Sequence, residues 1–165
     1  FILFSVFLLD NGFEWFCSSM ALSRLNAVAI SLLSILSKSI IVSIESLQQL
    51  FYADDEGITH CINQCEARYL ITSSTLLPKI DRLSGSFAQT LNVVYIGNKV
   101  ASAKDTAKLE KTISNLKTNK GYQVISYDNV VEIGSKMKPV EFEVPHPDEV
   151  SVIQFTSGTS GVPKG

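Results

Sequence analysis

From residue 57 onward, apolar residues alternate between helical and strand spacing, and this alternation limits the fold more than any other feature. Ile58, Cys61, Ile62 and Cys65 fall at i, i+3, i+4 and i+7, the stripe of a short amphipathic helix. Residues 67–72 read as a buried strand closed by the polar cluster 72–75. Ser73 or Ser74 is placed to cap a helix whose apolar face is Leu76, Leu77, Ile80 and Leu83, with Pro78 tolerable only in its first turn. Next come a strand over 91–96 and a lysine-rich helix over 103–118, with Leu109, Ile113 and Leu116 on one face. A strand over 122–126 leads to a short helix over 127–134, stopped by Gly134. The proline-bounded stretch 139–147 is a loop, and 150–155 is a last strand. Such alternation predicts an α/β fold on a mostly parallel sheet flanked by helices.

Composition narrows the class further. The 165 residues carry 14 Lys+Arg against 16 Asp+Glu and are 45% hydrophobic. That is enough apolar residue for a core, too much for disorder, and no basic field for nucleic acid. Three cysteines, an odd number, suit reduced thiols rather than a disulfide scaffold.

Charge is unevenly spread. Residues 1–50 hold only Asp10, Glu14, Arg24, Lys38 and Glu45, which predicts an apolar N-terminal segment over 1–50 and a domain over 51–165. The uncharged run 1–9 falls short of the roughly 20 apolar residues of a bilayer span. With no initiating Met and no basic flank, it does not read as a signal peptide either. Residues 25–44 have the length of a span, but Lys38 and several serines interrupt it, so a span and a buried helix both remain open. The chain starts at Phe1 and stops at Gly165 inside a motif, so both ends read as cut.

The chemistry lies in the last ten residues. Gly158, Gly161 and Gly165 let the backbone turn tightly and aim amide N–H groups into one concavity. Thr156, Ser157, Thr159 and Ser160 add four hydroxyls, and Lys164 adds a positive charge. Such a set suits the acceptor oxygens of a polyphosphate. Flexible linkers share this composition, but they do not usually show the order strand, hydroxyls, paired glycines, Pro-Lys-Gly. The stretch is not a Walker A loop, since Pro163 precedes the lysine and Gly165 follows it.

Residues 155–165, F-T-S-G-T-S-G-V-P-K-G, resemble the phosphate loop of the adenylate-forming enzymes, [YF]-T-S-G-[ST]-T-G-x-P-K-G. One position departs: Ser160 stands where that family has Thr, so the hydroxyl is kept and a methyl is lost. The upstream Pro145-His-Pro-Asp-Glu149 is similar to the family's P-x-P-[DE]-[DE] turn before that strand. Gly57-Ile-Thr-His-Cys-Ile-Asn-Gln-Cys-Glu66, then Tyr69 to Ser73 and Leu76-Leu-Pro-Lys79, resemble the long-chain acyl-CoA synthetase branch. Asn11 with Glu14-Trp15 is similar to that branch's N-x-x-E-W, ahead of an apolar helix that fits 16–29. The branch's L-Y-x-x-L-G turn is met late and incompletely at Phe51-Tyr52-Ala53, so parts of 1–9 and 31–50 read as sequence foreign to the fold.

The resemblance implies part of a large adenylation domain, ending in its phosphate loop. It implies that a long-chain fatty acid is activated by ATP to an acyl-adenylate and passed to coenzyme A, with Mg2+ on the phosphates. Thr156, Ser157, Gly158, Thr159, Ser160, Gly161, Lys164 and Gly165 would hold the β- and γ-phosphates. It also implies a membrane-associated, cytosol-facing protein, on the endoplasmic reticulum first. The alternatives are another adenylate-forming enzyme and a non-catalytic, membrane-associated truncated protein. No catalytic residue and no metal ligand is assigned within the chain, since the family's adenine, ribose and magnesium groups follow the loop. The chain as written is therefore expected to show no ATP–pyrophosphate exchange.

Other candidates have structural readings. His60, Cys61 and Cys65 are too few for a metal site, and the cysteines read as core. Residues 54–56, three consecutive acids, complement a helix N-terminus, and His146 is a loop residue.

Overall fold

The computed structural model describes residues 4–9, 12–33, 55–97, 103–141 and 144–155. Among the described residues the chain forms six strands: β1 (Phe4–Leu9), β2 (Val28–Leu33), β3 (Tyr69–Ser73), β4 (Asn92–Ile96), β5 (Gln123–Ser126) and β6 (Val152–Gln154). They form one sheet in the order β5-β4-β3-β1-β2-β6, with every neighbouring pair parallel. Five helices connect them: α1 (Phe13–Arg24), α2 (Asp55–Gln64), α3 (Leu77–Leu83), α4 (Ala103–Lys120) and α5 (Tyr127–Ser135). The α/β fold with helix-flanked parallel strands is the one expected.

Alternate side chains of each strand serve two cores. Val6, Leu8, Ile30, Leu70 and Val93 point to the face that α2, α3 and α4 cover, where Ile58, Ile62, Leu77, Ile80 and Leu116 meet them. Phe7, Ala29 and Ile71 point the other way, under Trp15 and Leu22 of α1. The Phe7 and Trp15 rings sit 5.9 Å apart at 53°, a tilted aromatic pair. Helices on both faces are what connections of right-handed crossover require when the chain steps from β1 to β2 in one direction and from β3 to β4 in the other.

Several elements differ from expectation. The apolar run 1–9 supplies β1, which lies between β2 and β3. Of 25–44, residues 28–33 are a strand and not a helix, and 34–54 lie outside the described residues. No helix among the described residues is long and apolar enough to cross a membrane. The sheet thus draws strands from both sides of the composition break near residue 50.

The helix fitted to 16–29 is α1, which starts at Phe13 and stops at Arg24. Asn26 takes the left-handed conformation (φ 50°), and the Ala27 N–H reaches back to the Leu22 carbonyl at 2.9 Å, a Schellman stop. The same motif ends α2 at Glu66 (φ 49°), whereas α4 ends at Gly121 (φ 67°), whose N–H bonds the Lys117 carbonyl at 3.2 Å. Gly134 does not act this way. It lies within α5, which continues to Ser135, and the Lys136 N–H bonds the carbonyls of Ile133 and Gly134.

Helix α3 starts without a hydroxyl cap. Leu76 holds the cap position, Ser73 and Thr75 bond each other at 2.7 Å, and Pro78 lies in the first turn. Conversely, Ser126 caps α5 by accepting the Asn129 N–H at 3.2 Å, which the sequence pattern did not flag.

Side chains tie the helices together. Asp55, in the first turn of α2, pairs with Arg82 and Lys79 of α3, and the Arg82 hydrogen bond holds its carboxyl below the usual range. Both partners are partly solvated, so the pair is worth at most about 1 kcal/mol. The Gln89 amide donates to the Ile62 and Ala67 carbonyls at 3.0 and 2.8 Å, covering the C-terminus of α2.

Candidate functional site

Parallel strands end along one edge of the sheet, and in open α/β folds ligands bind outside that carboxyl edge. Here the edge carries the ends of all six described strands. At the end of β3 and just past it stand Ser73, Ser74 and Thr75, where the Ser74 N–H bonds the Ile96 carbonyl at 2.9 Å. Because β1 and β3 are adjacent and their connections diverge, this cluster lies at a topological switch point.

The candidate loop starts from the same edge. Strand β6 pairs with β2 in the register Ala29↔Val152, Ile30↔Ile153, Ser31↔Gln154. Ile153 and Phe155 face the larger core, where Phe155 is 7% exposed, while Val152 and Gln154 face outward. The strand expected over 150–155 is shorter, three residues long, because only these pair with β2. Buried Phe155 anchors the point where the chain passes into Thr156.

Thr156, Ser157, Gly158, Thr159, Ser160, Gly161, Lys164 and Gly165, named as the phosphate-holding set, lie outside the described residues. What the structure describes is their root: the end of β6, three strand positions from the hydroxyl cluster beyond β3. At about 4.8 Å per strand, the two are some 14 Å apart.

The lead-in to β6 is bonded to the turn between α1 and β2. The Glu149 carboxylate accepts the His146 backbone N–H at 2.6 Å and the Asn26 side-chain amide at 3.0 Å. These bonds, the His146 N–H first, hold Glu149 below the usual carboxylate range. The Ala29 N–H then bonds the Ser151 carbonyl at 3.0 Å, and pairing with β2 begins. His146 is a loop residue, as expected, and its ring lies 3.5 Å from the exposed Asp148 carboxylate. The pattern P-x-P-D-E announced this turn, but nothing local to either residue announced Asn26 as its partner.

Beneath the root, Phe4, Gln64, Cys65, Glu66, Ile153 and Phe155 line a mainly apolar cleft of about 300 Å³. Cys65 borders it, and Cys61 lies in the core at 1% exposure. Burial pushes the Cys61 thiol up to about 12, and the neighbouring Cys65 adds to the effect. Both cysteines pack with the core as expected, and among the described residues no group of three His, Cys, Asp or Glu could hold a metal. Since only a thiolate alkylates, at pH 8 Cys61 should react about a thousandfold more slowly than an ordinary thiol. Mass spectrometry of the folded chain after iodoacetamide checks this; Cys61 labelled as fast as after unfolding would contradict its burial.

Comparison with known proteins adds to this geometry. The pattern of a family described as AMP-binding enzyme matches residues 6–165. Long-chain-fatty-acid–CoA ligase 2 of Schizosaccharomyces pombe is 31% identical over 111 residues, covering 67% of this chain and 15% of that protein. Long chain acyl-CoA synthetase 8 of Arabidopsis thaliana is 29% identical over 114 residues, covering 67% of this chain and 14% of that protein. This chain therefore spans about 15% of the length of the first of these relatives. Among solved structures, the A domain of carboxylic acid reductase from Segniliparus rugosus, in complex with AMP and a co-purified carboxylic acid, superposes with a TM-score of 0.72. That likeness covers 99% of this chain and 23% of that one at 13% identity, so it bears on the fold alone.

Proposed function

The chain belongs to the AMP-binding enzyme family, and on that premise we propose that it supplies the phosphate-loop part of a ligase that activates long-chain fatty acids with ATP. The observation that carries this reading is the family match through residue 165, on a chain whose last described strand ends at the carboxyl edge of a parallel sheet. The long-chain relatives at about 30% identity support the choice of acid.

A carboxylate is a poor electrophile, and linking it to the α-phosphate of ATP supplies a good leaving group. Coenzyme A then takes the acyl group and AMP departs. The part of this chain is electrostatic: backbone N–H groups around Gly158–Gly161, the hydroxyls of Thr156, Ser157, Thr159 and Ser160, and the Lys164 ammonium hold the β- and γ-phosphates and stabilise the departing pyrophosphate. Magnesium would accompany the triphosphate and neutralise part of its charge. Long acyl chains partition into bilayers, which supports a place at a cytosol-facing membrane, that of the endoplasmic reticulum on the family resemblance.

Calorimetric titration of the 165-residue chain tests the loop. Mg–ATP and pyrophosphate should compete for one site, and AMP, lacking the β- and γ-phosphates, should fail to displace them. AMP binding as tightly as ATP, or no binding of either polyphosphate, would remove the assignment.

A further inference from the structure

Strand β6 has three residues and a single strand neighbour among the described residues, so little in its own ladder fixes its register. A slip of one residue would turn Phe155 from the core to the outer face and move the start of the loop by about 3.3 Å. The stretch before it lacks three backbone donors, since Pro139, Pro145 and Pro147 have no N–H. What does tie it down is Glu149, which accepts the His146 N–H at 2.6 Å and the Asn26 amide at 3.0 Å across 123 residues of sequence.

Asn26 is suited to this by its position. It sits in the left-handed turn that ends α1, two residues before β2 begins, so its side chain is held by the same turn that sets the start of β2. Glu149 is likewise two residues before the first bond between β6 and β2, from the Ala29 N–H to the Ser151 carbonyl. The pair therefore closes the gap between two chain segments just where their parallel pairing starts. We propose that Asn26 and Glu149 are positioning residues for the phosphate loop: their bond sets the register of β6 on β2 and so the position of Phe155, the last described residue before the loop. The effect on nucleotide rests on the loop assignment above, whereas the effect on β6 does not.

The pair is solvated, so the expected changes are modest. In the 165-residue chain, Asn26→Gly keeps the left-handed turn and removes the amide, and Glu149→Ala removes the acceptor. Each should speed amide hydrogen exchange at Val152–Gln154 about three- to tenfold and weaken Mg–ATP binding by a similar factor, with β3 and β4 amides unchanged. The double variant should be no worse than the worse single one, and Glu149→Gln, which keeps an accepting oxygen, should recover most of both effects. Exchange in β6 equal to the parent, or rising equally in β3 and β4, overturns the proposal. If the parent chain binds no ATP, the loop assignment falls, and the β6 exchange alone decides whether the pair sets the register.

Discussion

Replacing Leu70 by alanine should lower the stability of the chain by about 2–5 kcal/mol, a large part of what a domain of this size usually has. Leu70 is fully buried in β3, the strand that joins β1 on one side to β4 on the other. Its side chain faces the larger core, so truncation removes apolar contact and leaves a cavity that two flanking strands keep from collapsing. Leu70→Val, smaller by one methylene, should lose only about 1 kcal/mol and serves where the alanine variant does not fold. By contrast, Val131→Ala on α5, where Val131 is 53% exposed, should stay within about 0.5 kcal/mol. Urea unfolding followed by circular dichroism measures all three. A Leu70→Ala change below about 1 kcal/mol would mean that β3 is not the structural centre described above.

The contrast between β3 and β1 shows what was legible beforehand. Ile58, Cys61 and Ile62 have helical spacing and become the buried stripe of α2; Leu109, Ile113 and Leu116 make the inward face of α4, Leu116 buried and the other two partly buried. Helical period survives in a single sequence because one face meets water. The strands β1 and β2 are covered on both faces, so their residues are apolar almost without a break, as is common in parallel sheets. Such a run has no period to read, and 4–9 and 28–33 therefore resemble lipid-seeking segments when they are core strands. Strand order was hidden for another reason. The jumps from β2 to β3 and from β5 to β6 cross the sheet, and nothing in the local sequence records which edge a strand joins. The site divides in the same way: the loop's residue types are explicit at 156–165, while Asn26 and Glu149 meet only through the fold.

Lys164→Ala should weaken Mg–ATP binding about 10- to 100-fold, the loss expected when a charge-assisted hydrogen bond worth about 1.5–3 kcal/mol is removed. Its charge is the one full positive charge among residues 156–165, so no neighbour in the loop can substitute for it. Binding of the parent should weaken with added salt, and the alanine variant should show a shallower salt dependence because one ion pair is gone. Lys164→Arg keeps the charge but spreads it over a planar group, and should lie between the two. Stability should not follow affinity: the residue lies beyond Phe155, the last described core residue, so the urea midpoint without nucleotide is expected to match the parent. Calorimetry at two ionic strengths, with the unfolding curve as control, separates these effects. Unchanged affinity and salt slope with an unchanged midpoint would show that Lys164 does not meet the phosphates.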